Sequence, residues 1–147
     1  MTESASFTQL QDLSTALASL VASTAPSVTA VQSHRSRSSG FVWRPGLIVT
    51  ADEALSEDGE FAVTLSVGDT VPAQLVGRDP TTDVALLRVD RSDLRPVPLE
   101  AAPVPVGALA IAMGAEDGTP TAALGVVSRS AGSWRSLRRR DRRSDRT

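Results

Sequence analysis

Few residues of this chain have side chains that could do chemistry. The sequence has no Cys and only one His, His34. Its composition therefore excludes a thiol nucleophile, a disulfide framework, a Cys-ligated zinc site and any metal site built from several His. Carboxylates, hydroxyls and one imidazole remain. His34 lies in the polar string SHRSRSS, which predicts an exposed turn residue.

The densest group of possible ligands is an acidic segment that starts at residue 52. It places five carboxylates in nine residues, namely Asp52, Glu53, Glu57, Asp58 and Glu60. Such oxygens can bind Ca²⁺, but the spacing lacks the D-x-D-x-D-G pattern of a calcium loop. We interpret the segment as a solvated acidic loop, and the sequence predicts no metal and no cofactor.

The 147 residues carry a net charge of -2 that conceals an uneven distribution. Residues 135–147 have seven Arg against Asp141 and Asp145, whereas the rest of the chain has eight Arg against fifteen acids. A segment so rich in charge predicts a disordered tail. A phosphate-binding arm and an altered reading frame stay open as alternatives. The acidic body and the lack of interleaved aromatics argue against nucleic acid as the partner.

No segment of the sequence predicts a membrane span or a targeting peptide. The apolar runs fall far below the ~18 residues that a spanning helix needs. The N-terminus carries Glu3 and lacks the basic residues of a signal peptide. The prediction is therefore a cytoplasmic protein.

The elements that must position the polar side chains begin with a helix. Apolar residues recur every three or four positions at Phe7, Leu10, Leu13, Leu17, Leu20 and Val21. This spacing predicts an amphipathic helix from about Thr8 to Ala22, which Pro26 ends. We assign residues 1–25 to this N-terminal helix and expect its apolar face to pack on the following domain. A partner-binding helix and a membrane-surface helix are the alternatives.

From Ser27 the pattern changes to short β-branched runs separated by turn residues, which is typical of a small antiparallel β-domain. Six runs are predicted as strands: Ser27 to Gln32, Gly40 to Trp43, Leu47 to Thr50, Phe61 to Leu65, Val71 to Arg78 and Val84 to Val89. Their spacing favours a closed barrel, which has no exposed edges. Leu47 and Leu86 lie on presumed core strands, so we expect either change to Ala to cost about 2 to 5 kcal/mol.

A Pro-rich link follows the predicted barrel and contains Pro96, Pro98, Pro103 and Pro105. Such a segment reads as an extended connector. Beyond it, Ala108 to Met113 and Thr121 to Ser128 are predicted as two strands joined by the turn-rich segment Gly114 to Pro120. This Ala108 to Ser128 hairpin has apolar residues and an unpaired edge, and another polypeptide is its expected partner by strand addition.

The order of these strings carries a family resemblance. PSVTAV, SSGFVW, GLIVTADEAL, VTLSVGDTVPAQLVGRDPTTDVALLRV, VGALAIAMG and TAALGVVS follow one another between Pro26 and Trp134. The series resembles the first half of trypsin-like serine proteases of the HtrA (Deg) type. The resemblance implies a mainly β fold of two barrels with the active site between them. Residues 26–95 would form a complete six-stranded antiparallel first barrel, and residues 96–134 the linker and opening hairpin of a second.

The same resemblance places two catalytic positions of the family. Asp83, in GRDPTTDVALLRV, falls where the family has the Asp that orients the catalytic His. The position of that His is occupied by Glu53. The family's activity is serine-type peptide-bond hydrolysis, in which an imidazole takes the proton of the Ser nucleophile. A carboxylate at residue 53 has no N–H to present to Asp83, so the general base is absent.

The expected function follows from these substitutions. The sequence contains no GNSGG-like nucleophile string. We therefore predict a truncated and catalytically inactive family member, for which a peptide or protein substrate is expected only if it is active. A natural pseudo-protease, an interrupted gene product and half of a two-chain enzyme stay open as origins. The alternative function is an interaction module acting through the barrel, the hairpin or the Arg-rich tail.

Overall fold

The computed structural model describes residues 2–34, 36–57, 59–66, 68–100 and 102–132. The elements are helix α1 (Thr2–Thr24), a 3-10 turn (Ala25–Ser27), β1 (Val28–Ser33), β2 (Ser36–Arg44), β3 (Leu47–Thr50), β4 (Phe61–Thr64), β5 (Thr70–Asp79), β6 (Val84–Val89), β7 (Leu109–Glu116) and β8 (Thr119–Val126). The tail that the sequence predicts to be disordered, residues 135–147, lies outside the described residues.

The first six strands form a closed antiparallel barrel in the order β1-β2-β3-β6-β5-β4. β1 pairs with β2 on one side and with β4 on the other, and this second pairing closes the sheet. The bounds of β3 and β6 are as predicted, and those of the other four strands differ by one to four residues at an end. The predicted six-stranded barrel is confirmed, and its closure leaves none of these strands with a free edge.

The barrel core is built from side chains that alternate with outward-facing ones along each strand. Its buried cluster consists of Val31, Val42, Ile48, Leu55, Phe61, Val63, Leu65, Ala73, Ala85, Leu87 and Val89. β2 approaches β3 closely at Gly40, where a Cβ atom would lie 2.8 Å from Ile48 Cγ2 and 2.9 Å from the Val49 carbonyl oxygen. No larger residue fits at this position without displacing the backbone of β3.

The predicted core positions Leu47 and Leu86 are wrong by one residue. Both side chains are only half-buried, whereas the residues that follow them, Ile48 and Leu87, are fully buried. Ile48 and Leu87 are Cα partners across β3 and β6. Because side chains alternate between the faces of a strand, an error of one residue moves the whole apolar set to the opposite face.

Helix α1 is longer than predicted and its apolar face does not pack on the barrel. It ends at Thr24, because Pro26 has no backbone N–H to continue the α-helical hydrogen bonds, and a 3-10 turn follows. Phe7, Leu10 and Leu20 are more than half exposed, with Leu13 at 43%. The expectation that this face is buried against the following domain is therefore wrong. No helix in the described part of the chain combines the length and apolarity that crossing a membrane requires.

The β7–β8 hairpin has a tighter turn than predicted. Its strands extend into the Gly114 to Pro120 segment and pair up to Glu116 and Thr119. Asp117 and Gly118 form the turn, with φ of 47° and 82°. Positive φ at both central residues is the geometry of a type I′ turn, for which Asp-Gly is a favoured sequence. The longer loop predicted here is wrong, because the Asp-Gly signal alone defines the turn.

One strand of the hairpin rests on the barrel and the other does not. Ser39 Oγ accepts a hydrogen bond of 3.0 Å from the backbone N–H of Ala115, and Arg37 pairs with Asp117 at 3.1 Å. Gly118 lies so close to the barrel that a Cβ atom would be 2.9 Å from the Leu65 carbonyl oxygen. All eight residues of β8 are exposed. The hairpin is thus fixed to the barrel through β7 and its tip.

Candidate active site

Two sequence-predicted site residues, Glu53 and Asp83, come together at one end of the barrel. Thr50, the last residue of β3, is the Cα partner of Ala85 near the start of β6. The loop that leaves β3 therefore meets the turn that enters β6. The backbone N–H of Glu53 donates a 2.8 Å hydrogen bond to Asp83 Oδ1, and the N–H of Asp52 lies 3.3 Å from the Asp83 carbonyl oxygen.

A short turn between β5 and β6 orients Asp83. The Asp79 carboxylate accepts hydrogen bonds from the Thr82 hydroxyl at 2.9 Å and from the Thr81 backbone N–H at 3.0 Å. These bonds lower the pKa of Asp79 below its ordinary value, and the bond from the Thr82 hydroxyl has the largest effect. Asp83 itself has a left-handed backbone with φ of 55°, which Asp tolerates better than most residues. This conformation places both its carboxylate and its carbonyl next to the 52–53 backbone.

Arg78, at the end of β5, holds the loop that carries Glu53. Its Nε donates to Asp52 Oδ1 at 2.5 Å, and its Nη2 donates to the carbonyl oxygens of Asp52 and Leu55 at 3.2 and 3.3 Å. The Asp52 side chain is 8% exposed and that of Arg78 27%. A buried carboxylate is costly unless it is paired, so the two side chains depend on each other.

A second anchor joins the same loop to β1. Ser33 Oγ accepts a 2.9 Å hydrogen bond from the backbone N–H of Ser56 and lies 3.0 Å from its hydroxyl. Ser33 is buried in the barrel. The loop is therefore held at Asp52, Glu53 and Ser56 from three different strands or turns.

The sequence did not single out Arg78 or Ser33, although both position the candidate site. Arg78 stands in the GRDPTTD string, so the resemblance marks its neighbourhood without giving it a partner. The prediction that Asp52 belongs to a solvated acidic loop is wrong, because its side chain is buried against Arg78. Which of the five acids is buried depends on the side of the loop that faces the barrel. The order of charged residues along the chain does not predict that side.

Two further acids of the loop, Glu57 and Glu60, and His34 are surface groups, while Asp58 lies outside the described residues. Glu57, Glu60 and His34 are exposed, and His34 lies in the β1–β2 turn with φ of 46°. All three line an open concavity of about 1070 Å³ that β4 and β5 also line. Within the described residues, no three His, Asp or Glu side chains are grouped so that they could hold a metal ion.

The local chemistry of the Glu53–Asp83 pair differs from that of a catalytic triad. Both residues are exposed, and the bond between them runs from a backbone N–H to a carboxylate. A triad needs an imidazole that takes a proton at one nitrogen while the Asp holds its other N–H. The Glu53 side chain can only accept hydrogen bonds when ionised, and its charge has the same sign as that of Asp83. The contact therefore joins a backbone N–H to a carboxylate, without an imidazole at residue 53.

Comparison with known proteins identifies the family. Residues 38–146, about three quarters of the chain, match the family model of the trypsin-like peptidase domain. The chain belongs to the trypsin-like peptidases. The resemblance to trypsin-like serine proteases that the strand strings carry is thereby confirmed, and a DegP-like relative supports the HtrA (Deg) type.

Curated trypsin-like relatives match a limited part of the chain. Protease Do-like 1, chloroplastic, of Arabidopsis thaliana is 42% identical over 64 residues, which are 42% of this chain and 15% of the relative. A probable periplasmic serine endoprotease, DegP-like, of Pseudomonas putida is 37% identical over 86 residues, which are 57% of this chain and 18% of the relative. The chain thus spans less than a fifth of the length of either curated relative.

Solved trypsin-like structures cover more of the chain. The Rv3671c protease of M. tuberculosis, in an inactive form, superposes with a TM-score of 0.67 and 28% identity over 74% of this chain and 55% of its own. The serine endoprotease of Yersinia pestis gives a TM-score of 0.67 and 26% identity over 72% of this chain and 42% of its own. The chain therefore spans about half the length of these solved neighbours.

Proposed function

We propose that this trypsin-like peptidase chain does not hydrolyse peptide bonds as it stands, because Glu53 occupies the family's His position. The hydrogen bond from the Glu53 backbone N–H to the Asp83 carboxylate carries the proposal. It keeps residue 53 beside the Asp that would orient a His, so the mapping of both positions rests on contact as well as on sequence order. A carboxylate at residue 53 cannot serve as the triad base, since it has no N–H for Asp83.

A chimaera tests the role of residue 53 directly. Residues 1–132 would be joined to the second-barrel part of the Yersinia pestis serine endoprotease, which supplies a nucleophile segment that the 147 residues lack. We expect no casein hydrolysis and no labelling by a serine-directed probe with Glu53, and both with Glu53→His. Adding Asp83→Asn to the Glu53→His chimaera should lower kcat by about 10⁴-fold. Hydrolysis by the Glu53 chimaera would contradict the proposal.

The pairing of positions 53 and 83 can also be measured without any second barrel. In the Glu53→His variant of the 147-residue chain, the Asp83 carboxylate should raise the pKa of the new imidazole above the ordinary value of about 6.5. NMR titration of the ring protons measures this, and the ring of His34 supplies the second signal in the same spectrum. Glu53→His with Asp83→Asn is the control, in which the new imidazole should titrate near its ordinary pKa. Equal values in both variants would contradict the mapping.

The partner that we propose for the β7–β8 hairpin is another polypeptide that adds a strand to β8. In support, every residue of β8 is exposed, and within the described part of the chain β8 pairs only with β7. Main-chain groups on the outer edge are then available to an extended segment. Protection of β8 amides from hydrogen exchange on addition of the partner is the expected result, and Leu124→Pro, which removes a donor, should abolish it.

We propose a domain boundary near residue 95, supported by the lack of regular secondary structure from residue 92 to 108 among the described residues. Peptides or proteins are the proposed substrates of an active variant. The cytoplasmic location stays a prediction, and the two curated relatives are described as chloroplastic and periplasmic.

A further inference from the structure

Helix α1 presents a row of apolar side chains that the barrel leaves uncovered. Phe7, Leu10, Leu13 and Leu20 are 63%, 65%, 43% and 54% exposed, and Leu17 is half-buried. A helix buries its apolar side against something in a stable protein, and large exposed apolar patches mark interaction sites. We call the row of Leu10, Leu13, Leu17 and Leu20 the leucine stripe.

The spacing of the leucine stripe selects another helix as the covering element. Leu10, Leu13, Leu17 and Leu20 are separated by three, four and three positions, which is the a/d repeat of a coiled coil. The pattern is symmetric about Thr15. In an antiparallel pair centred there, Leu10 of one copy meets Leu20 of the other and Leu13 meets Leu17, so each a position faces a d position. One stripe is therefore complementary to a second copy of itself.

Charge does not oppose this self-association. The helix carries only Glu3 and Asp12, and neither lies in the leucine stripe. The flanking e and g positions between Leu10 and Leu20, Ser14 and Ala16, are uncharged and small. Two copies can therefore approach without repulsion between like charges. A membrane surface would instead favour Lys and Arg on the polar face, and this helix has none.

The composition of α1 supplies an energetic reason for a partner. Nine of its 23 residues are Ser or Thr, which are weaker helix formers than Ala or Leu. Helices in water take most of their stability from the packing of an apolar face. The barrel does not provide this packing for the leucine stripe. A second helix would provide it along the leucine stripe, which spans roughly 15 Å of the roughly 35 Å length of α1.

The short connection to the barrel favours one orientation of the pair. Only the three residues Ala25–Ser27 separate α1 from β1, and Ser27 is buried. The axes of paired helices lie about 8 to 10 Å apart. A barrel is wider than this, because its opposite walls are separated by about 10 Å of core and also carry side chains on their outer faces. A parallel pair would bring the two barrels together at the same end, where they compete for space. An antiparallel pair places them at opposite ends.

We propose that the leucine stripe of α1 binds a second copy of this chain as an antiparallel helix pair. The proposal is independent of the catalytic state of the barrel and of the β8 edge. It names one contact, Leu10 with Leu20 of the second copy, that a different arrangement would not make. The resulting homodimer has one barrel at each end of the helix pair.

Sedimentation equilibrium of the full 147-residue chain from about 1 to 200 µM tests the association. We expect a dimer that Leu13→Glu weakens by about 30-fold or more, as at a central interface position. The matched control is Thr15→Glu, which adds the same charge to the same helix on the opposite side and should change Kd by less than about 3-fold. Both substitutions lie outside the barrel, and unchanged barrel amide signals in NMR spectra verify that it stays folded.

Disulfide formation tests the orientation, because the chain has no Cys of its own. A mixture of Leu10→Cys and Leu20→Cys chains should oxidise mainly to the mixed disulfide. A Leu10→Cys chain alone should not cross-link efficiently. A monomeric wild-type chain at 200 µM, equal effects of the two Glu variants, or efficient Leu10→Cys homodimers would each overturn the proposal. So would binding of a monomeric wild-type chain to phosphatidylglycerol vesicles through the stripe.

Discussion

The barrel and the β7–β8 hairpin use the same antiparallel pairing and reach opposite degrees of burial. In the barrel, each of six strands has two neighbours and sends alternate side chains into one apolar core. In the hairpin, β8 has β7 as its neighbour and all of its side chains are exposed. Strand pairing alone therefore does not produce a core. Closure of the sheet does, and the loops of the candidate site depend on it because they are held at the barrel's end.

The largest expected effect separates the barrel core from the hairpin. Leu87→Ala removes a fully buried side chain of β6 and should destabilise the chain by about 2 to 5 kcal/mol. Leu124→Ala, on β8, removes a side chain that is 57% exposed and should change the free energy of unfolding by less than about 0.5 kcal/mol. Urea denaturation followed by intrinsic fluorescence and circular dichroism measures both.

Leu86→Ala is the control within the barrel. It shortens the same residue type on the same strand, but on the half-buried outer face. Its cost should fall clearly below that of Leu87→Ala. A larger cost for Leu86→Ala than for Leu87→Ala would mean that the inner and outer faces of β6 are reversed.

The strands of the barrel could be predicted from the sequence, but the side chains that point into its core could not. In β3 and β6, Leu-Ile-Val and Ala-Leu-Leu-Arg-Val are nearly continuous apolar runs, because the outer face is also partly covered. Without alternation between apolar and polar residues, the sequence gives no basis for choosing Leu87 over Leu86. The prediction that α1 packs on the barrel is wrong for a related reason. Its periodicity defines an apolar side but does not say which surface covers it.

The candidate site was predictable where it depends on order along the chain and unpredictable where it depends on three-dimensional contact. The sequence motifs around Glu53 and Asp83 predict that both belong to the site. The fold brings the Glu53 backbone N–H to the Asp83 carboxylate. Arg78 binds a loop more than twenty residues away in sequence. A contact between an Arg and one of five neighbouring acids is fixed by barrel closure, which no local pattern records.

The second expected effect compares two Arg–Asp pairs. Arg78→Met leaves the buried Asp52 carboxylate without its ionic partner and should cost about 2 to 3 kcal/mol, since Arg78 is itself partly exposed. Arg37→Met breaks the pair with Asp117 that links the barrel to the hairpin. Both of those side chains are more than half exposed, so the cost should stay below about 1 kcal/mol.

Urea denaturation measures the stability of both Arg variants, and hydrogen exchange locates the change. Arg78→Met should accelerate exchange of the Glu53 and Ser56 amides, which belong to the loop that Arg78 holds and donate to Asp83 and Ser33. Arg37→Met should affect the hairpin tip instead. Equal stability losses for the two variants would show that burial of the ion pair is unimportant here.

The third expected effect, of about 1 kcal/mol, distinguishes two buried Thr hydroxyls of the barrel. Thr50 Oγ1 donates to the Ser39 carbonyl oxygen at 2.9 Å, whereas Thr29 Oγ1 has no hydrogen-bond partner among the described residues. Thr50→Val should therefore destabilise by about 1 kcal/mol, and Thr29→Val should be neutral or stabilising. Thermal unfolding compares the two nearly isosteric changes. A greater loss of stability in Thr29→Val would indicate a bonded partner for that hydroxyl, such as a buried water.

The smallest expected effect lies in the link that joins the barrel to the hairpin. Arg91 donates to both oxygens of Asp93, at 2.8 and 2.9 Å, and also to Asp69 at 3.3 Å. The bonds from Arg91 lower the pKa of Asp93 to about 2. A carboxyl with a lowered folded-state pKa contributes stability above its unfolded value of 3.8, and this contribution is lost as the pH falls toward 2. NMR titration of side-chain carboxyl carbons should therefore give a midpoint near 2, which Arg91→Met moves toward 3.8 and Asp69→Asn leaves low. A wild-type midpoint near 3.8 would mean that this exposed pair does not persist in solution, and that the link is less firmly held than the barrel it leaves.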